Sequence, residues 1–150
     1  MLTREQLGMT YINDTIRDVN GDGFKDFLVN WYPSAGCCLS DIYNVYLNLP
    51  YKNIFSDDYE FINPTFSPKE KIIRGIGYGH PGEVELYKYK WNNLEIDTVE
   101  FIHPYRDHEG KFIRSKQPHY PRTVKEGTVL NETPKEYHNI ENYDWFTGDL

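Results

Sequence analysis

Only two cysteines occur in 150 residues, and they are neighbours, Cys37 and Cys38. An adjacent pair cannot staple distant segments, so the usual reading of an even cysteine count as a secreted disulfide framework fails here. No CxxC spacing is present, which leaves zinc unsupported. Basic charge is also scarce: 16 lysines and arginines stand against 23 aspartates and glutamates, a net charge of −7. Nucleic-acid affinity comes mainly from neutralising phosphates, so an acidic chain without a basic patch argues against DNA, RNA and anionic membranes. No apolar run approaches the roughly 20 residues that span a bilayer. Residues 1–10 hold no apolar stretch, so no signal peptide is visible. Ser-His-Asp sets, GxSxG elbows, phosphate loops and dinucleotide fingerprints are all missing. The five histidines, His80, His103, His108, His119 and His138, never stand at HExxH spacing and lie in or near turns and proline-rich stretches.

Aromatic residues, by contrast, are plentiful at 16 %, with 13 tyrosines. Large flat side chains suit pleated sheets, where they pack across strands. The hydrophobic pattern alternates with a period of two nearly everywhere, and no segment carries helical periodicity beyond a turn or two. Strands are expected at residues 11–16, 27–32 and 42–49. A meander follows at 71–78, 83–91 and 94–102, with Ile72, Ile76 and Tyr78 on one face of its first strand. The turns between them are Gly79-His80-Pro81-Gly82 and Asn92-Asn93, the latter able to adopt the left-handed conformation of a tight hairpin. Placing residues 59–62 in front of that meander gives four antiparallel strands, the size of one propeller blade. The opening third has a similar layout, which points to two related sheet units. After Pro104 regularity fades, with Pro118, Pro121 and Pro134 interrupting short strands at 111–115 and 128–131. The expected fold is one all-β domain over residues 1–150, mainly antiparallel and propeller-like, with a less regular part from about residue 104.

The most specific feature is the run Asp18-Val19-Asn20-Gly21-Asp22-Gly23-Phe24-Lys25-Asp26. Calcium is a hard cation that takes six to eight oxygens at roughly 2.3–2.6 Å. Asp18, Asn20 and Asp22 fill the first, third and fifth positions of a curled loop, and Gly23 sits sixth, where the backbone turns sharply. Phe24 offers its carbonyl from the seventh position and Asp26 stands ninth. An EF-hand would need a glutamate at the twelfth position, where this chain has Val29, and flanking helices where this chain has a strand. The loop is therefore EF-hand-like, set between strands and closed by Asp26. Three carboxylates in nine residues repel one another unless a cation neutralises them. Calcium fits better than magnesium, which prefers a tighter octahedral shell with retained waters. The plainer alternative is an Asx-rich surface turn that binds nothing.

The string DVNGDGFKDFLV resembles the calcium loops of FG-GAP and VCBS repeats, which cap blades of β-propellers. That resemblance implies Asp18, Asn20, Asp22, Phe24 through its carbonyl, and Asp26 as ligands. More broadly, this loop followed by tyrosine-rich strands is similar to a bacterial family of periplasmic calcium-binding, propeller-like proteins that includes an inhibitor of a secreted lysozyme-like effector. The resemblance implies an envelope location and a protein partner, and it carries over no inhibitory residue.

Three further groups of side chains stand out. Cys37 and Cys38 read either as a redox switch or soft-metal site, or as a pair with no functional role, and the second reading is favoured. Glu83 and Glu85 fall on one face of an expected strand, roughly 6.5–7 Å apart by the strand rise, with Tyr87, Tyr89 and Trp91 continuing it. Paired acids beside aromatic platforms are the raw material of a glycosidase, but acids at an exposed strand end usually face water. Arg74, Lys88 and Lys90 read as solvated strand faces. The chain is thus expected to be a non-catalytic, calcium-stabilised binding module, an inhibitor or immunity-type protein acting on a cell-wall hydrolase. The alternatives are a carbohydrate-binding module with structural calcium and, last, a small glycoside hydrolase. The working surface is expected among the Cys37-Cys38 loop, the His80 turn and the proline-rich tail, because loops on a rigid sheet usually carry recognition.

Overall fold

The computed structural model describes residues 7–117 and 127–150. Pro118, His119 and Pro121 lie outside the described residues. Alternation of apolar and polar residues does produce strands throughout, and they run in chain order. The first sheet has four, β1 (Met9–Arg17), β2 (Asp26–Pro33), β3 (Ile42–Leu49) and β4 (Ile54–Ile62), laid down as β1-β2-β3-β4. The second has six, β5 (Pro64–Ser67), β6 (Ile72–Ile76), β7 (Leu86–Asn92), β8 (Glu95–Pro104), β9 (Phe112–Ser115) and β10 (Thr128–Leu130), again in simple order. Every pairing is antiparallel. The protein is all-β, as its periodicity indicated. Among the described residues the two sheets do not close into a barrel, and no helix is long and apolar enough to cross a membrane.

The largest departure from expectation is in which sheet a segment joins. Residues 59–62 do not front the second sheet; they end β4, where Phe61 pairs with Tyr43 and Tyr59 with Val45. The chain changes sheets at Asn63, whose φ of 45° breaks the strand. The front strand of the second sheet is β5 instead. It is short, opens on a proline and pairs on one side only, the edge position where a missing N–H costs no ladder bond.

The sheets pack face to face through Leu28, Val45, Leu47 and Phe61 on one side and Ile73, Tyr87, Trp91 and Phe101 on the other. Edge-to-face ring pairs cross this seam, Tyr59 with Trp91 at 5.1 Å and Phe61 with Trp91 at 6.0 Å. Such pairs add roughly 0.5–1.5 kcal/mol beyond the area they bury. The expected aromatic row of the meander is thus an inner face: Tyr87 and Trp91 are buried and Tyr89 half-buried. Alternation marks which residues share a face but says nothing about which face meets water.

The opposite face of the second sheet is covered as well. Ile76, Val84, Leu86 and Ile102 pack against Tyr137, Ile140 and Phe146, the last carried by a short helix α1 (Tyr143–Thr147). Residues 137–146 of the less regular C-terminal part therefore cover this face, while β9 and β10 extend the sheet itself. Under that cover lie the cations expected to be solvated. Arg74 pairs with Glu70 at 2.8 Å and Glu136 at 3.5 Å. Lys88 pairs with Glu100 at 3.1 Å and also with Glu136, and Arg114 reaches Glu100 at 2.8 Å. Tyr137, with no exposed surface, donates to Glu100 Oε1 at 2.8 Å. Burial first, then the Glu100 charge and this hydrogen bond, push the phenol far above its ordinary range. Lys90 alone of the three expected cations remains exposed. Tyr78 likewise leaves the face of Ile72 and Ile76: it stands exposed in the turn beyond β6, while Arg74 takes the buried place between them.

Candidate functional site

The acidic loop joins β1 to β2 at one end of the first sheet, and its five expected ligand residues fall as follows. Asp18 curls over the loop, its Oδ1 accepting the N–H groups of Gly21 at 2.8 Å and Asn20 at 3.2 Å, its Oδ2 that of Gly23 at 3.0 Å. Asn20 Oδ1 accepts the Asp22 N–H at 3.3 Å, and Asp22 Oδ1 accepts the Phe24 N–H at 2.9 Å. These Asx turns wind the backbone around its own side-chain oxygens. Phe24 holds an exposed ring. Asp26 is fully buried, with Oδ2 accepting the Val19 N–H and Oδ1 the Asn48 N–H, both at 2.9 Å. Asp26 therefore ties Val19 of the loop to the start of β2 and to β3.

The loop is wedged between the sheets. Val19 sits in the shared core with no exposed surface. Gly21 has a φ of 77°, and a Cβ there would lie 2.1 Å from the Pro68 carbonyl oxygen, so only glycine fits against the turn that links β5 to β6. Lys71, just after that turn, donates Nζ to the carbonyls of Asn20 and Gly21 at 3.2 Å each. Beside the loop a cleft of about 630 Å³ opens, bordered by Asn20, Asp22, Phe24, Tyr51, Lys71 and Trp91 among others.

Does this donor set suit calcium? Its chemistry does, being three carboxylates and an amide on a tightly wound loop. Burial raises the Asp26 carboxyl above its ordinary range; the bonds from Val19 and Asn48 oppose this, and the charges of Asp22 and Asp18 add to it. Burial is thus the main cause of the shift and the neighbouring carboxylates add the least. The carboxylates of Asp18, Asp22 and Asp26 do not, however, gather within 4.8 Å of one another, a convergence that among the described residues only Cys37, Cys38 and His80 achieve. Their oxygens accept backbone N–H groups instead, except Asp22 Oδ2, which accepts the Asn20 side-chain amide at 3.2 Å. The loop thus carries oxygen side chains of the kind hard cations take, in an arrangement that does not converge them.

At the other end of the molecule Cys37 and Cys38 form a disulfide with each other, in the connection from β2 to β3. Cys38 is buried, and its Sγ lies 4.0 Å from His80 Nδ1; Cys37 is exposed, with Sγ 3.9 Å from the Tyr78 hydroxyl. The structure thus brings together two of the three surfaces expected to work jointly, the cysteine loop and the His80 turn. Asn63 holds the first, accepting the Asp41 N–H at 2.8 Å and donating to the Leu39 carbonyl at 3.0 Å. Trp145 holds the second, donating Nε1 to the Gly79 carbonyl and accepting the Gly82 N–H, both at 2.9 Å.

The other candidates disperse. β7 begins only at Leu86, so Glu83 and Glu85 precede it: Glu83 is exposed in the turn, its N–H bonding the His80 carbonyl, whereas Glu85 is half-buried and its carbonyl accepts the Gly77 N–H at 2.9 Å. Glu85 stays beside the aromatic row, where burial first and then its charge raise the Tyr89 phenol, whereas Glu83 lies in the turn beyond it. His103 is buried on β8, while His108 meets Tyr105 at a tilt of 55° in an exposed turn. His138 shares a hydrogen bond of 3.0 Å with Thr133. Sequence reasoning missed Asn63, Lys71 and Trp145 as the residues that seat both loops. The Asn63-Pro64 pair, a turn signal, was the one trace of them in the letters. Compared with protein-family models, curated proteins and solved structures, the chain matches none of them.

Proposed function

We propose that this protein is a non-catalytic binding module built from two blade-like sheets and stabilised by one calcium ion in the loop of residues 18–26. The observation that carries the reading is Asp26: a buried carboxylate, raised in pKa beside Asp18 and Asp22, at the seam where the loop meets both sheets. Asp18, Asn20, Asp22, Asp26 and the Phe24 carbonyl would hold the ion, which would supply the missing positive charge. The loop's Val19 plugs the core and its Gly21 abuts Pro68, so metal binding at this point becomes folding energy. The partner would be another macromolecule. The family resemblance favours a cell-wall hydrolase met in the bacterial envelope, and the burial of Tyr87 and Trp91 weighs against a sugar platform on that row.

The test is thermal unfolding in EDTA and then in millimolar calcium, with Asp22→Ala as control. A ligand bound only by the native state at one hundred times its Kd stabilises by about 2.7 kcal/mol, which is a rise of about 5–10 °C for a chain of this size. Wild type should show that rise and Asp22→Ala should lose it. An unchanged melt with both calcium and magnesium rejects the reading.

A further inference from the structure

We propose that reduction of the Cys37–Cys38 disulfide creates, with His80, a three-ligand site for a soft, thiophilic metal ion of the zinc, cadmium or copper(I) class. Two sulfurs and His80 Nδ1 lie within 4.8 Å of one another, and Cys38 Sγ stands 4.0 Å from Nδ1. Ligands on a tetrahedral centre with Zn–S near 2.3 Å and Zn–N near 2.0 Å are separated by about 3.6 Å. Once the sulfurs part, Cys38 Sγ has about 0.4 Å left to close on Nδ1.

The donors arrive from different parts of the fold and are held from behind. The cysteine loop belongs to the first sheet and is fastened through Asn63 to Leu39 and Asp41. The His80 turn belongs to the second sheet and is fastened by Trp145 of the C-terminal helix. Cys38 is buried on the inner side, whereas Cys37 and His80 are exposed, which leaves the outer side for solvent or a fourth ligand. Thiolates and imidazole select soft metals; calcium, which needs many oxygens, would gain nothing here.

The oxidation state sets whether the site exists. A dithiol reductant gives two electrons to the Cys37–Cys38 bond and is itself oxidised to a disulfide, and the two sulfurs take up two protons. Metal binding then displaces those protons, since thiolates are the ligands. A small-molecule disulfide takes two electrons from the thiolates, is itself reduced to two thiols, and leaves the Cys37–Cys38 bond rejoined and the ion released.

Cadmium is the probe, because its bond to thiolate gives an ultraviolet charge-transfer band. The full chain, reduced with a phosphine and freed of excess, is titrated with Cd²⁺ in millimolar calcium. The unreduced chain, reduced Cys38→Ser and reduced His80→Ala are titrated alongside. The reduced wild type should bind one equivalent with the band, and the unreduced chain should show none. Cys38→Ser should lose the band's one-equivalent end point. His80→Ala, at an exposed position that folding tolerates, should keep the thiolate band but bind at least about tenfold more weakly. No band in the reduced wild type overturns the proposal. So does an undiminished affinity in His80→Ala, which would reduce the site to a bare dithiol.

Discussion

The two ends of β2 make an instructive pair. Eight residues of strand, roughly 26 Å at the usual rise, separate an end built of oxygen from an end built of sulfur and nitrogen. At the oxygen end all the candidate ligands come from nine consecutive residues, and the loop winds on its own Asx turns. At the sulfur end the ligands are 42 residues apart and meet only because both sheets and the C-terminal helix set their loops side by side. The oxygen end has conspicuous letters but unconverged carboxylates, and the sulfur end has unremarkable letters but converged donors. A motif records what a segment can bind; convergence records what the rest of the fold has already arranged.

The comparison breaks most forcefully at the C-terminal helix. Phe146 is buried against Phe112 and Tyr143, with ring centroids 5.8 and 5.6 Å away. Phe146→Ala should cost about 3–5 kcal/mol in urea unfolding. Because α1 also carries Trp145, it should weaken cadmium binding by the reduced protein while leaving any calcium-induced rise in melting temperature in place.

The mirror experiment is Gly21→Ala. A left-handed non-glycine residue costs about 1–2 kcal/mol, and here the new Cβ would also meet the Pro68 carbonyl at 2.1 Å. A loss of at least about 2 kcal/mol is expected, together with a smaller calcium response and unaltered reactivity of the cysteine pair. Equal damage at both ends in either variant would show that they are one cooperative unit rather than two sites.

The smallest effects are in pH. Asp26 has a raised folded-state pKa, so in EDTA its charge costs stability above that pKa, and the penalty fades as pH falls through it. Calcium needs the carboxylate, so the calcium-induced rise should shrink over the same descent. Glu136 behaves in the opposite sense. Burial alone would raise its carboxyl, but the hydrogen bond from Lys88 and the charges of Lys88, Arg74 and Arg114 outweigh burial and hold it low. It stabilises the fold above the ordinary glutamate pKa and loses this as pH falls through its depressed value. Glu136→Gln should therefore flatten part of the acid limb of a stability–pH curve. At neutral pH it should cost less than about 1 kcal/mol, because the side chain is 41 % exposed and screened by water.

Several features were readable before any coordinates. Alternation located the strands around residues 27–32 and 42–49, and Asn92-Asn93 marked its hairpin, with Asn93 at a φ of 56°. Glycine and asparagine punctuation exposes turns because few other residues enter the left-handed region. The 59–62 segment was placed in the wrong sheet because pairing is a long-range choice; only the register of Phe61 with Tyr43 decides it. Arg74 and Lys88 read as solvated because their counter-ion Glu136 lies 62 and 48 residues downstream, in a part with no periodicity to announce it.

What the sequence determined by itself was therefore local: an all-β chain, its turns, and a nine-residue loop with the donors for a hard cation. Those follow from backbone sterics and side-chain chemistry over a few residues, which neighbours cannot easily overrule. The tertiary structure decided everything that depends on faces and meetings. It turned the Tyr87 and Trp91 row inward, laid residues 137–146 over the second sheet, and brought His80 to Cys38. Each of those outcomes is set by which buried surfaces fit together across the whole chain, and packing of that kind leaves no periodic trace in the order of the residues.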